Sequence, residues 1–284
     1  MRIFEVKSTI LKKAYKKRDE WFLDEYSLNP YRLCEYNCVY CYIHGGKYGG
    51  RGGLAVKINA PEVLKTELSR ASQRKLYGFI ALGSATEPWM YSEERYMVTR
   101  RCLEVILRYR FPVHCLTKSP LILRDLDILS RIDVSAILPE DLREKPGHGV
   151  LITFSFSTLN NGLARIFEPN APSPEERLEA IRRIRDEGFL CGIAFMPVLP
   201  YISDSELEEM AETARKLRVN YVFFSPLTLH GLGREIYFSV LKRHFPELVE
   251  KYRALYVKGF PPVWYNRLFY SCLLYTSPSP RDRG

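Results

Sequence analysis

Five short runs in this 284-residue chain are of strand length and predominantly apolar, without a regular polar alternation: Tyr77 to Leu82, Val113 to Thr117, Leu151 to Phe156, Cys191 to Met196 and Tyr221 to Phe224. A strand that alternates apolar and polar residues hides one face, whereas a strand apolar throughout hides both. Helix candidates fall between the runs, at Glu93 to Arg108, Pro174 to Glu187 and Ser205 to Leu217. Doubly buried strands joined by helices are the pattern of parallel βα repeats. The Pro174 helix carries its own punctuation, with Ser173 as N-cap, acidic residues in the first turn and Gly188 as stop. Upstream, Tyr26 to Tyr31 reads as a strand ending at Pro30, Leu54 to Ile58 as a short extended run, and Ala60-Pro61-Glu62 as a helix start. The count is about six βα units, which predicts an α/β fold: a partial, open (β/α)6 TIM-like barrel. Its hydrophobic content of 46% is enough to fill such a core.

The flanks read differently. Residues 1–25 form a charged lead-in strap, 26–230 the barrel and 231–270 a helical cover. Residues 134–149 are a longer connection without an assigned element. Gly45 to Gly53 is a flexible basic linker that lacks the fixed spacing of a phosphate-binding loop. From Ser271 onward the chain loses any helical or strand period and resembles read-through of adaptor sequence. Cys272 is therefore not offered as a ligand, and the natural C-terminus is read as missing. The N-terminus has no signal-peptide pattern, and no run reaches the roughly 18 apolar residues of a membrane span. Seven scattered cysteines do not make a disulfide framework, so a reducing cytoplasm is expected. The net charge of +9 permits a polyanionic partner such as nucleic acid without requiring one. Trp89, Tyr91 and Tyr201, near strand exits, are aromatics able to stack on bases.

Three of the cysteines stand apart. Cys34, Cys38 and Cys41 lie within eight residues, so their thiols can converge on one soft metal centre. Ordinary electron-transfer clusters take four thiolates, and neither ferredoxin spacing is matched here. Three ligands on a cubane cluster leave one iron open to a substrate or cofactor. His44 keeps a Cys3His zinc site as the alternative, which would make the chain a zinc-stabilised, non-catalytic nucleic-acid-binding protein. A redox sensor using a cluster alone is a third reading.

In βα barrels the reactive groups sit at the C-terminal ends of the strands. At the second exit, Gly83-Ser84-Ala85-Thr86-Glu87-Pro88 combines a glycine with hydroxyls and one carboxylate able to accept from an ammonium. Lys118 stands at the third exit and suits a carboxylate. At the fourth, alternation places Thr153, Ser155 and Ser157 on one side, able to bind a ribose. Met196-Pro197 at the fifth offers an apolar surface for an adenine.

These residues together resemble the radical S-adenosylmethionine (SAM) superfamily, and within it the spore photoproduct lyase-like, or DNA repair photolyase-like, branch. The resemblance spans residues 26–230. It rests on the three cysteines with Asn29-Pro30-Tyr31-Arg32 before them, Val56-Lys57-Ile58-Asn59-Ala60, Thr86-Glu87-Pro88, Leu116-Thr117-Lys118-Ser119 with Arg124-Asp125-Leu126-Asp127, and Glu168-Pro169 with Ala171-Pro172-Ser173-Pro174-Glu175. It implies a [4Fe-4S] cluster on Cys34, Cys38 and Cys41, SAM bound beside it, an external one-electron reductant, and cleavage of SAM to a 5′-deoxyadenosyl radical. It also implies that Ser84, Thr86 and Glu87 lie at the SAM amino group, Lys118 at its carboxylate and Ser155 at its ribose, with Tyr42 lining the cavity. Two departures stand out. No Cys lies near Gly83 to Ala85, where spore photoproduct lyase has its hydrogen donor, and Leu33 precedes Cys34 where many relatives have Gly. Cys115 and Cys191, on barrel strands, are the candidates for a replacement donor.

Overall fold

The computed structural model describes residues 1–13, 18, 23–44, 53–142 and 147–266. Lys16, Lys17, Trp21 and Phe22 of the strap, almost all of the glycine-rich segment, Pro146 and the tail with Cys272 lie outside the described residues.

Ten strands are present among the described residues: β1 (Arg2–Phe4), β2 (Leu11–Lys13), β3 (Asp24–Leu28), β4 (Tyr31–Arg32), β5 (Ala55–Lys57), β6 (Phe79–Leu82), β7 (Val113–Thr117), β8 (Val150–Phe156), β9 (Leu190–Val198) and β10 (Tyr221–Pro226). The larger sheet runs β10-β9-β8-β7-β6-β3-β2. From β3 to β10 every neighbouring pair is parallel and each strand lies beside its predecessor, while β2 joins antiparallel at the edge. Six parallel strands laid down in chain order, with β2 and β10 left as separate edges, make the partial (β/α)6 barrel that the apolar runs imply. The short run at residues 54–58 stands outside this count: β5 pairs with β1 and β4 in a three-stranded sheet. The five apolar runs and the strand before the cysteines, β3, make the six.

The outer helices are α1 (Ala60–Gln73), α2 (Glu93–Tyr96), α3 (Val98–Tyr109), α4 (Leu126–Ser135), α5 (Asn161–Phe167), α6 (Pro174–Asp186), α7 (Leu207–Lys216), α8 (Gly231–His244) and α9 (Val249–Leu255). Leu64 and Leu68 of α1 share a buried core with Cys102, Leu103 and Ile106 of α3, the three-to-four spacing that one helix face requires. Ser173 caps α6 as expected: its hydroxyl accepts from Glu176 N, and the Glu176 carboxylate accepts from Ser173 N at 2.7 Å. The single helix expected over Glu93 to Arg108 is broken. Met97 adopts a left-handed backbone (φ 51°), and the buried Glu93 side chain accepts from Thr99 N and Arg100 N, capping α3 as a separate helix. Residues 134–149 contribute the end of α4 and a short turn at Glu140–Leu142. Among the described residues no helix is long and apolar enough to cross a membrane.

α8 and α9 form a second core. Tyr237, Leu241, Tyr252 and Tyr256 pack with Phe167 and with Val39 and Tyr40 from the cysteine loop. The C-terminal helices therefore rest on the segment that carries the thiols.

Candidate functional site

The cysteine loop is bent by two left-handed residues, Leu33 (φ 59°) and Asn37 (φ 47°), on either side of Cys34. Cys41 N donates to the Cys38 carbonyl at 3.0 Å, and Val39 N donates to Phe167 O at 2.8 Å, which pins the loop to the end of α5. A glycine would most easily take the left-handed backbone that Leu33 adopts.

All nine expected site residues, Cys34, Cys38, Cys41, Tyr42, Ser84, Thr86, Glu87, Lys118 and Ser155, line one cavity of ≈ 310 Å³. Met196 and Pro197 line it too, as do Thr117, seen in the sequence only as part of a motif, and Ser225 and Thr228, which carry no signal in the sequence. Gly83 turns the chain at the second exit with φ +94°; a Cβ there would lie 2.5 Å from the Leu116 carbonyl. Asn29 organises the three residues after it. Its Oδ1 accepts from Ala85 N (2.9 Å) and Thr86 N (3.1 Å), and its Nδ2 donates to Ser84 Oγ (3.2 Å). Tyr42, half exposed, reaches across to donate to Ser84 O at 2.6 Å.

Glu87 is buried, yet its acceptors face neutral donors: Thr117 Oγ1 (2.6 Å) and Trp89 N (3.0 Å) on Oε1, and Lys118 N (2.8 Å) on Oε2. Burial outweighs these hydrogen bonds and pushes its carboxyl above the usual range. Glu168 behaves oppositely. Burial alone would raise it, but the Arg177 and Lys118 charges and hydrogen bonds from Arg177 and Tyr40 hold it below the usual range. Arg177 is itself fully buried and also donates to Ser155 O at 3.0 Å. Lys118 Nζ lies 4.0 Å from Glu168 Oε1. Glu168 is visible in the sequence only as part of a motif; its pairing with Arg177 and with Tyr40, 128 residues away, leaves no local signal.

Of the three hydroxyls at this exit, Thr153 and Ser155 on β8 and Ser157 just past it, only Ser155 lines the cavity. Thr153 lies 2.6 Å from His114 Nε2 and 2.7 Å from Tyr221 OH, and Ser157 donates to Glu168 at 3.0 Å. Trp89 is no stacking platform: it is fully buried and donates from Nε1 to Asp125 at 2.8 Å, whereas Tyr91 and Tyr201 are exposed. Cys115 and Cys191 are fully buried and do not line the cavity. Burial pushes the Cys191 thiol up to about 12 and raises Cys115 as well, so both stay neutral thiols away from the cavity.

The donor set is three thiols lining one cavity, the chemistry of a soft metal centre. Burial pushes Cys34 up to about 12 and raises Cys38 and Cys41, so the bare site holds three neutral thiols that release protons to a metal. None is in a disulfide. Among the described residues no three His, Cys, Asp or Glu side chains converge on a point as single-ion ligands. His44 Nε2 sits 3.1 Å from the Cys38 carbonyl, an arrangement that does not favour the Cys3His zinc alternative.

Comparison with known proteins bears on the same residues. The Radical SAM superfamily model matches residues 28–214. An uncharacterized protein of Mycobacterium tuberculosis is 30% identical over 257 residues, spanning 86% of this chain and 71% of that one. Among solved structures, a cysteine-to-serine variant of spore photoproduct lyase superposes with a TM-score of 0.63 at 16% identity, covering 85% of this chain. The same lyase complexed with dinucleoside spore photoproduct gives 0.61 at 14% identity, again over 85% of this chain. In both, the chain spans 65% of the length of the lyase. The match across the barrel and the cysteine loop is one of family: the chain belongs to the radical SAM superfamily.

Proposed function

We propose that this protein cleaves SAM reductively at a [4Fe-4S] cluster held by Cys34, Cys38 and Cys41. The observation that carries this reading is that the three thiols and the polar residues of successive strand exits line a single cavity. The cluster, when bound, supplies an electron to SAM, whose cleavage gives methionine and a 5′-deoxyadenosyl radical able to abstract a hydrogen from a substrate.

The chain's own residues bind and orient. Glu87 has an acceptor position left on Oε2 and no cation hydrogen-bonded to it, so the SAM ammonium is the partner that offsets its burial. Thr86 and Ser84, set in place by Asn29, complete that wall. Lys118 presents its amine at the next exit for the methionine carboxylate, and Ser155 its hydroxyl for the ribose. Tyr42 and the Met196-Pro197 pair flank the adenine and restrict water. An external one-electron donor is required. Six free thiols among the described residues suit a reducing cytoplasm. The lyase of similar fold is known bound to a dinucleoside photoproduct, and with the basic charge this favours a nucleic-acid substrate for the present chain, the chemical change left open.

The test is anaerobic reconstitution with iron and sulfide, then incubation with SAM and dithionite. Brown protein that releases 5′-deoxyadenosine, and a Cys38→Ala variant that releases none, are expected. Colourless, zinc-loaded protein without turnover overturns the reading.

A further inference from the structure

The small sheet beside the cysteine loop presents an unusual face. Arg32 pairs with Ala55, and Phe4 with Lys57. Alternation along β5 puts Ala55 and Lys57 on one side and Val56, opposite Tyr31, on the other, so Phe4, Arg32 and Lys57 share a face. Val56 and Tyr31 are buried in the core, leaving Arg32 and Lys57 half-buried. The Arg32 guanidinium lies 4.9 Å over the Phe4 ring. Its Nε is buried with no hydrogen-bond partner, and among the described residues no carboxylate pairs with it. A desolvated guanidinium nitrogen without an acceptor is costly, and a planar fork of donors is the geometry that recognises oxyanions. Lys57 Nζ donates at 2.6 Å to the Asn29 carbonyl. Burial first, then the neighbouring Lys12 and Arg32 charges, lower the Lys57 amine to about 8. Like charges gathered at a half-buried spot are mutually destabilising until a counter-charge arrives.

We propose that Arg32 and Lys57 form a phosphate-binding subsite beside the cavity that takes a phosphoryl oxyanion of the substrate. This deepens the functional reading above and rests on it, since it makes the substrate a nucleotide. The subsite and the cavity share Asn29: its carbonyl receives Lys57, and its side chain carries the Ser84 to Thr86 wall. Arg32 also lies two residues before Cys34, so a phosphate held here places the attached nucleoside beside the cysteine loop. The phosphate can belong to a nucleic-acid backbone or to a free nucleotide.

The test measures fluorescence anisotropy of a labelled single-stranded DNA of about 12 nucleotides on the full-length reconstituted protein. Arg32→Gln and Lys57→Gln are each expected to weaken binding roughly tenfold and to lower the slope of log K against log salt by about one. Arg32→Lys should recover part of the loss. Should Arg32→Gln fail to fold, Lys57→Gln alone carries the reading. Competition names the source: an unlabelled oligonucleotide that displaces the probe far better than AMP indicates the backbone, and equal displacement indicates a free nucleotide. Wild-type affinity in the Gln variants, no oligonucleotide binding at all, or acetate competing as well as inorganic phosphate at matched ionic strength would overturn the subsite. SAM cleavage by the wild-type protein judges the functional reading separately, because phosphate binding that depends on Arg32 can be present or absent whatever that assay returns.

Discussion

Glu87 and Glu168 are both buried beside the cysteine loop, and they are held in opposite electrostatic states. Glu168 is enclosed by Arg177, Tyr40 and Ser157, with Lys118 Nζ 4.0 Å away. Its charge is matched inside the protein. Among the described residues Glu87 accepts from a hydroxyl and two backbone amides, with no cation hydrogen-bonded to it and the Lys118 charge felt only at a distance. A buried carboxylate with an internal partner is part of the scaffold, whereas one left short of positive charge is a candidate functional group. Residue type and burial are the same for both; the difference lies entirely in the groups that face them.

The comparison breaks most severely at Arg177. Arg177→Met leaves the buried Glu168 charge without its hydrogen-bonded cation and should cost about 3–5 kcal/mol, read as a lowered midpoint in urea unfolding. A loss below about 1 kcal/mol would show that the pair contributes no more than a surface bridge.

Replacing each acid by Gln should next reveal opposite pH dependences. Glu168 is held below its ordinary value of 4.5, so its contribution is present above that value and fades as pH falls through the lowered one. The deficit of Glu168→Gln should therefore shrink in acid. Glu87 is held above 4.5, so the stability linked to it is present below that value and is lost as pH rises through the raised one. Glu87→Gln in the cluster-free protein should gain relative to wild type toward neutral pH. Parallel slopes for the two variants would collapse the distinction.

Glu87→Gln should also weaken SAM binding by roughly 10- to 100-fold through loss of one charge-assisted hydrogen bond, measured by equilibrium dialysis on the reconstituted protein. The smallest effect is expected at Leu33. Leu33→Gly relieves a left-handed backbone worth about 1 kcal/mol, partly offset by the greater freedom of Gly in the unfolded chain. A net gain below about 1 kcal/mol with unchanged iron loading is the expected outcome.

Much of the architecture is legible because its signals are local. Apolar runs of strand length, the Ser173 cap and the strand-exit rule each depend on a few consecutive residues, and they bring the expected cavity residues to one place. The differences between expectation and structure are of another kind. Residues 54–58 read only as a short extended run, and their pairing with Arg2–Phe4 and Tyr31–Arg32 in a second sheet appears only in the folded chain. The break at Met97 depends on a Glu93 carboxylate turned back onto the next helix. Thr153 and Ser155 share a strand face, yet His114 and Tyr221 claim one and the cavity the other.

The amino-acid order alone set the number and kind of barrel strands, the cysteine spacing and the polar residues at the exits, since periodicity and side-chain chemistry are properties of neighbours along the chain. Tertiary structure decided which carboxylate is neutralised from within, which stays open to a cation, and why Arg32 Nε lacks a partner. Those are sums of burial and charge over residues far apart in sequence, and they acquire values only when the chain is folded.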